Sequence, residues 1–132
     1  VAFRDNSKWR ATVMSKKTCP WGGQKRFLFQ NHAVSICERQ DRSFISYEEA
    51  LYFAGILNTP IVEKYVLASS DSRSFRIRPP VYVPVYDPSS KLCTQISRLA
   101  GRALNARDDQ VIKLRDEIEE KYLKLAAATA PD

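Results

Sequence analysis

The sequence predicts an α+β fold: a small mixed or antiparallel sheet with a short helix pair and a long C-terminal helix or helical hairpin. Three observations carry this expectation. Residues 8 to 37 hold two runs rich in aromatic and β-branched residues, Ser46 opens a capping box before two abutting helical stretches, and a helical pattern runs from Pro88 to about Ala127.

The two early runs, residues 8 to 15 (WRATVMSK) and 26 to 37 (RFLFQNHAVSIC), show partial period-two alternation and read as strands. Between them, Cys19-Pro20-Trp21-Gly22-Gly23 is turn chemistry, because proline fixes φ and glycine tolerates positive φ. Ser15 to Lys25 is therefore expected to be a basic, glycine-hinged loop with Trp21 near its tip.

Ser46-Tyr47-Glu48-Glu49 has capping-box spacing: the Ser46 hydroxyl can accept from the Glu49 amide while the Glu49 carboxylate reaches back. A helix from about Tyr47 to Leu57 follows, with Leu51, Ala54 and Leu57 or Asn58 on one face, and Asn58-Thr59-Pro60 closes it. Pro60 suits the first position of a second helix, capped by Thr59 and running to about Ala68, with Ile61, Tyr65 and Ala68 on a common face.

Residues 69 to 74 form a polar, serine-rich loop leading into Phe75-Arg76-Ile77-Arg78, where alternation separates the apolar from the basic side chains. Pro79, Pro80 and Pro84 force extended backbone suited to an edge and not to a central strand. Asp87-Pro88 is expected to start a helix as Thr59-Pro60 does. Beyond it, Leu92, Ile96, Leu99 and Ala103 form one stripe and Val111, Leu114, Ile118, Tyr122 and Leu125 another, with Asn105 and Asp108-Asp109 as a break and new cap.

The chain has 132 residues, 44 % hydrophobic and 27 % charged, enough for one buried core and too apolar for simple disorder. It contains no apolar run near the roughly 20 residues that span a bilayer, so no membrane association is expected. With Val at position 1 and no apolar leader, it is expected to be a piece of a longer cytoplasmic protein. Three cysteines and one histidine, His32, support neither a disulfide framework nor a zinc site. Cys37 and Cys93 lie in apolar patterns and are expected to be buried.

The net charge is +6, and its location matters because a partner feels only clustered charge. Residues 1 to 42 carry nine Lys or Arg against three acids, whereas the remaining residues are nearly balanced. Trp9, Trp21, Phe27 and Phe29 interleave with that basic segment, a composition suited to nucleic acid and equally compatible with a surface kept soluble. Catalysis finds little to work with: one His, no Gly-x-Ser-x-Gly, no glycine-rich phosphate loop and no acid/His metal set. The chain by itself is expected not to be an enzyme.

The arginines are more informative. Arg76 and Arg78 would point the same way from a strand and present paired forks to phosphate or to guanine edges, with Arg73 and Ser72 in the loop before them. A solvated edge strand whose charges block aggregation is the alternative.

Residues 46 to 92 (SYEEALYFAGILNTPIVEKYVLASSDSRSFRIRPPVYVPVYDPSSKL) resemble the C-terminal specificity segment of bacterial N6-adenine DNA methyltransferases, including fused restriction-methylation enzymes. The likeness lies in Glu49, Ala50, Leu51, Tyr52, Gly55, Ile56, Leu57 and Asn58, then Tyr65, then Ser72 to Phe75, then Pro80, Pro84 and Asp87. Phe3-Arg4-Asp5 and the basic residues after it are similar to a strand that opens this segment in the family. The resemblance covers about residues 2 to 104 and departs from the family at Thr59-Pro60, where serine is common. The catalytic Asn/Asp-Pro-Pro-Tyr/Phe motif and the S-adenosylmethionine loop are absent, and Arg78-Pro79-Pro80-Val81 does not replace them.

The resemblance implies a DNA target-recognition domain over residues 1 to 104 with a helical extension over 105 to 132. Its partners would be double-stranded DNA and the protein's own upstream methyltransferase domain, which would bind the S-adenosylmethionine; no cofactor is expected in this segment. Lys16, Lys17, Lys25 and Arg26 would neutralise phosphates, while Arg73, Arg76 and residues of the Ser15 to Lys25 loop, Trp21 among them, would reach base edges; Ser72 and Arg78 also belong to the DNA-binding set. The other reading is a protein-interaction module without DNA specificity, whose stripe from Val111 to Leu125 pairs with a second helix, by self-association among other routes.

Overall fold

The computed structural model describes residues 1–4, 9–25, 33–69 and 81–130. Among these, five short strands and four helices form a mixed α+β architecture. Strands β1 (Ala2–Arg4), β2 (Ala11–Thr12) and β5 (Ala33–Ser35) make an antiparallel sheet in the order β2-β1-β5, with Phe3 opposite both Ala11 and Val34. Strands β3 (Lys17–Thr18) and β4 (Gln24–Lys25) form a separate hairpin.

The strand within the run expected over 8 to 15 is shorter than that run, the described part of the run over 26 to 37 holds β5, and the central strand, β1, is expected from the family resemblance at Phe3-Arg4-Asp5 and not from local periodicity. Three residues are too few to show a period in sequence, and β1 is defined by its neighbours on both sides. The expected loop from Ser15 to Lys25 is itself a hairpin. Residues 26 to 32, including His32, Phe27 and Phe29, lie outside the described residues, as does the strand expected at Phe75 to Arg78.

Helix α1 (Tyr47–Leu57) starts with the expected reciprocal cap: Glu49 N–H donates to Ser46 Oγ at 3.1 Å and Ser46 N–H to Glu49 Oε2 at 3.4 Å. Arg39 adds a charged partner, its Nε donating to Glu49 Oε1 at 3.2 Å and its guanidinium pairing with the other oxygen. The buried carboxylate of Glu49 is thereby satisfied, as burial of a charge requires. Nearly every residue from Ala50 to Leu57 is buried, because α1 lies between the other helices and the sheet. Gly55 is where α1 meets helix α3 (Lys91–Ala103): a Cβ at Gly55 would stand 3.0 Å from that of Ala100.

Helix α2 (Pro60–Ser69) begins at the expected proline, but it buries Val62 and Val66, leaving Ile61 and Tyr65 exposed. The i, i+4 spacing is satisfied by either pair. Contacts from helix α4 (Asp108–Thr129) decide between them: Arg115 Nε donates to the Asn58 carbonyl at 2.6 Å and its guanidinium pairs with Glu63, while Glu119 accepts from the Ile61 N–H at 2.6 Å. Pro88 does not open a helix. The Asp87 carboxylate accepts from the Ser89 N–H and hydroxyl at 2.8 and 2.7 Å, forming a local turn, and Ser90 becomes the cap of α3.

The C-terminal helical region is a pair, α3 and α4, separated by residues 104–107. Arg107 occupies the N-cap of α4 without a side-chain cap bond, and Asp108 and Asp109 supply acids to its first turn, where they favour the helix dipole. Leu114, Ile118, Tyr122 and Leu125 are buried in the same core as Tyr52, Ile56 and Ile96, so the chain's own body covers the second stripe from Leu114 onward, while Val111 at its head is half-buried. Of the cysteines, Cys93 is buried as expected and Cys37 is exposed. Cys37 follows the strand alternation of residues 34 to 37, which turns Val34 and Ile36 inward and Ser35 and Cys37 outward.

Three tyrosines fasten the extended segment 81–86 to the helices. Tyr52 OH donates to the Pro84 carbonyl at 2.9 Å, Tyr122 OH to the Tyr82 carbonyl at 2.6 Å, and Tyr82 OH to the Thr129 carbonyl at 2.6 Å. Burial raises the phenol pKa of both Tyr52 and Tyr122 above the ordinary value. A raised acid favours the folded state fully below the unfolded phenol's pKa, near 10, and loses that contribution as pH climbs through the folded value. Ultraviolet titration should therefore show two of the six tyrosines ionising late, with stability falling above about pH 10. Ordinary titration of every phenol in a chain that stays folded would contradict this.

Candidate nucleic-acid interface

The basic hairpin is built by its turn. Cys19 N–H donates to the Gly23 carbonyl and Gly22 N–H to the Cys19 carbonyl, both at 3.0 Å, and φ is 93° at Gly22 and 76° at Gly23. A side chain at either glycine would be strained, so the Gly-Gly pair is what permits so tight a reversal. Thr18 faces Gln24 and Lys17 faces Lys25 across the ladder.

That last pair is electrostatically unfavourable. Like charges directly opposite each other on antiparallel strands destabilise the pairing, by up to about 1 kcal/mol. Lys16 adjoins them, all three lysines are exposed, and among the described residues none of them enters an ion pair. Trp21 stands at the apex with 80 % of its surface exposed. Beside the foot of the hairpin an open groove of about 580 Å³ is lined by Met14, Lys16, Glu38, Phe44 and Tyr47 among others.

Of the residues expected at a site, Lys16, Lys17, Trp21 and Lys25 are thus brought together on one projection. Arg26, Ser72, Arg73, Arg76 and Arg78 lie outside the described residues. Trp9 is not available to a ligand: it is 3 % exposed, its ring lies 5.2 Å from that of Phe3, and its Nε1 donates to the Leu57 carbonyl at 2.5 Å. No group of three metal-ligating side chains is found among the described residues. No helix among them is long and apolar enough to cross a membrane.

The motif residues around Asn58 hold the frame. Asn58 Nδ2 donates to the Ala11 carbonyl at 2.7 Å and its Oδ1 accepts from the Ala11 N–H at 2.9 Å. Together with the Trp9 bond to Leu57, this ties the sheet to the end of α1. In the sequence Asn58 has the character of a helix terminator, and nothing local to it signals a bond to a residue 47 positions earlier. Comparison with protein-family models, curated proteins and solved structures finds no match to this chain.

Proposed function

We propose that the chain is a DNA target-recognition module serving an N6-adenine DNA methyltransferase of a restriction-modification system, with S-adenosylmethionine bound by a separate catalytic domain. The observation that carries its nucleic-acid part is the Lys17–Lys25 rung with Lys16 beside it and no acid paired to any of the three among the described residues. Such a rung costs the isolated hairpin stability and gains it back when an anion lies against it, and the regularly spaced anions of a duplex backbone suit it. The adenine-methyltransferase part rests on the sequence resemblance over residues 2 to 104. In this reading the hairpin lysines and Arg26 set the register on phosphates, Arg73 and Arg76 reach base edges, and Ser72 and Arg78 complete the DNA-binding set. The helix-pairing alternative on the stripe from Val111 to Leu125 is the less favoured reading, because Leu114, Ile118, Tyr122 and Leu125 of that stripe pack within the chain.

Salt titration tests the proposal. Changing Lys16, Lys17 and Lys25 together to Ala should weaken duplex binding on every sequence and reduce the salt slope by at most about three, roughly one per phosphate contact. A slope unchanged from the parent chain would take these lysines out of the footprint.

A further inference from the structure

Trp21 lies outside the core: it is 80 % exposed at the end of a hairpin whose neighbouring glycines have open space where a side chain would begin. An indole is among the largest apolar surfaces a protein can expose, and here it is carried on a turn closed by two hydrogen bonds. The ladder below it is polar and basic. We propose that Trp21 is a wedge that inserts at a base step of duplex DNA, unstacking it locally, while Lys17 and Lys25 remain on the phosphates. This inference rests on the nucleic-acid reading of the hairpin.

The dimensions agree. A two-stranded ribbon fits the major groove, about 12 Å wide and 8.5 Å deep, and is too broad for the minor groove. Trp21 lies four residues beyond Lys17 in the chain, so at about 3.3 Å per residue the apex reaches at most roughly 13 Å past the lysine rung. With the lysines at the groove's rim, the indole is at the level of the bases. Stacking is tolerant of sequence because every base offers a π-face. The wedge therefore distorts and anchors the duplex without reading it, and specificity falls to other residues.

A wedge binds most tightly where unstacking is already cheap. Fluorescence anisotropy with the full chain should show a duplex carrying one mismatch bound about tenfold more tightly than its fully paired counterpart. Trp21→Ala should abolish that preference and keep the salt slope, and Trp21→Phe should retain part of it. Equal affinity of the parent chain for the two duplexes, or a preference that survives in Trp21→Ala, would overturn the wedge while leaving a lysine-dependent footprint intact. Loss of lysine dependence would overturn the nucleic-acid reading and the wedge together. Because tryptophan beside lysines also suits a lipid surface, vesicles of phosphatidylcholine with phosphatidylserine form a further arm. Trp21-dependent binding to these vesicles with no effect of Trp21 on DNA would likewise overturn the proposal.

Discussion

A chain ended at Asn105 is expected not to fold. The truncation removes Leu114, Ile118, Tyr122 and Leu125, all buried, and uncovers the faces of α1 and α3 on which they pack. Burying one such side chain contributes roughly 1.5–3 kcal/mol, so the four together are worth about 10 kcal/mol, the order of a small domain's entire stability. The loss extends beyond apolar area. Arg115, which holds the Asn58 carbonyl and Glu63, leaves with α4, as does the Tyr122 hydroxyl that holds the segment at Tyr82. Circular dichroism and thermal unfolding should find no cooperative transition in the truncated chain. A cooperative transition near that of the full chain would mean that the remaining residues form an adequate core alone.

Trp9→Ala should carry the largest effect of any single substitution in the β region, about 3–5 kcal/mol. The indole fills the space between Phe3 and the end of α1, and its N–H satisfies the Leu57 carbonyl at 2.5 Å. Deleting it leaves both a cavity and an unpaired carbonyl. Trp9→Phe keeps much of the volume and loses only the hydrogen bond, so it should cost about 1 kcal/mol. Denaturant melts of the two variants test this division; a Phe variant as unstable as the Ala variant would assign the effect to the hydrogen bond. Trp21→Ala, by contrast, should leave the melt unchanged.

The contrast between the two tryptophans marks the limit of what could be read from the sequence. Each stands among basic residues, Trp9 between Lys8 and Arg10 and Trp21 between Lys17 and Lys25. Only tertiary packing separates the one in the core from the one at a tip. Features set by near neighbours were legible: the capping box at Ser46, the proline start of α2, the Cys-Pro-Trp-Gly-Gly turn and the apolar stripe of α4. Features set by distant partners were not legible in the local pattern. β1 is a strand because β2 and β5 flank it, and α2 turns Val62 and Val66 inward because Arg115 and Glu119 hold its first turn. At the start of α3, Pro88 lost to Ser90 because Asp87 bonds Ser89. In the candidate interface the charge and the turn were visible, but the direct opposition of Lys17 and Lys25 depends on the hairpin register.

The Asn58 amide has a second consequence. Among the described residues β2 is an outer strand of its sheet, and the N–H and C=O of Ala11 are groups that a strand from another molecule would seek. The side chain of Asn58 occupies both, presenting a donor and an acceptor as a neighbouring backbone would. One amide thus takes the place a further strand would fill, so that Ala11 offers no template for edge-to-edge growth into aggregates.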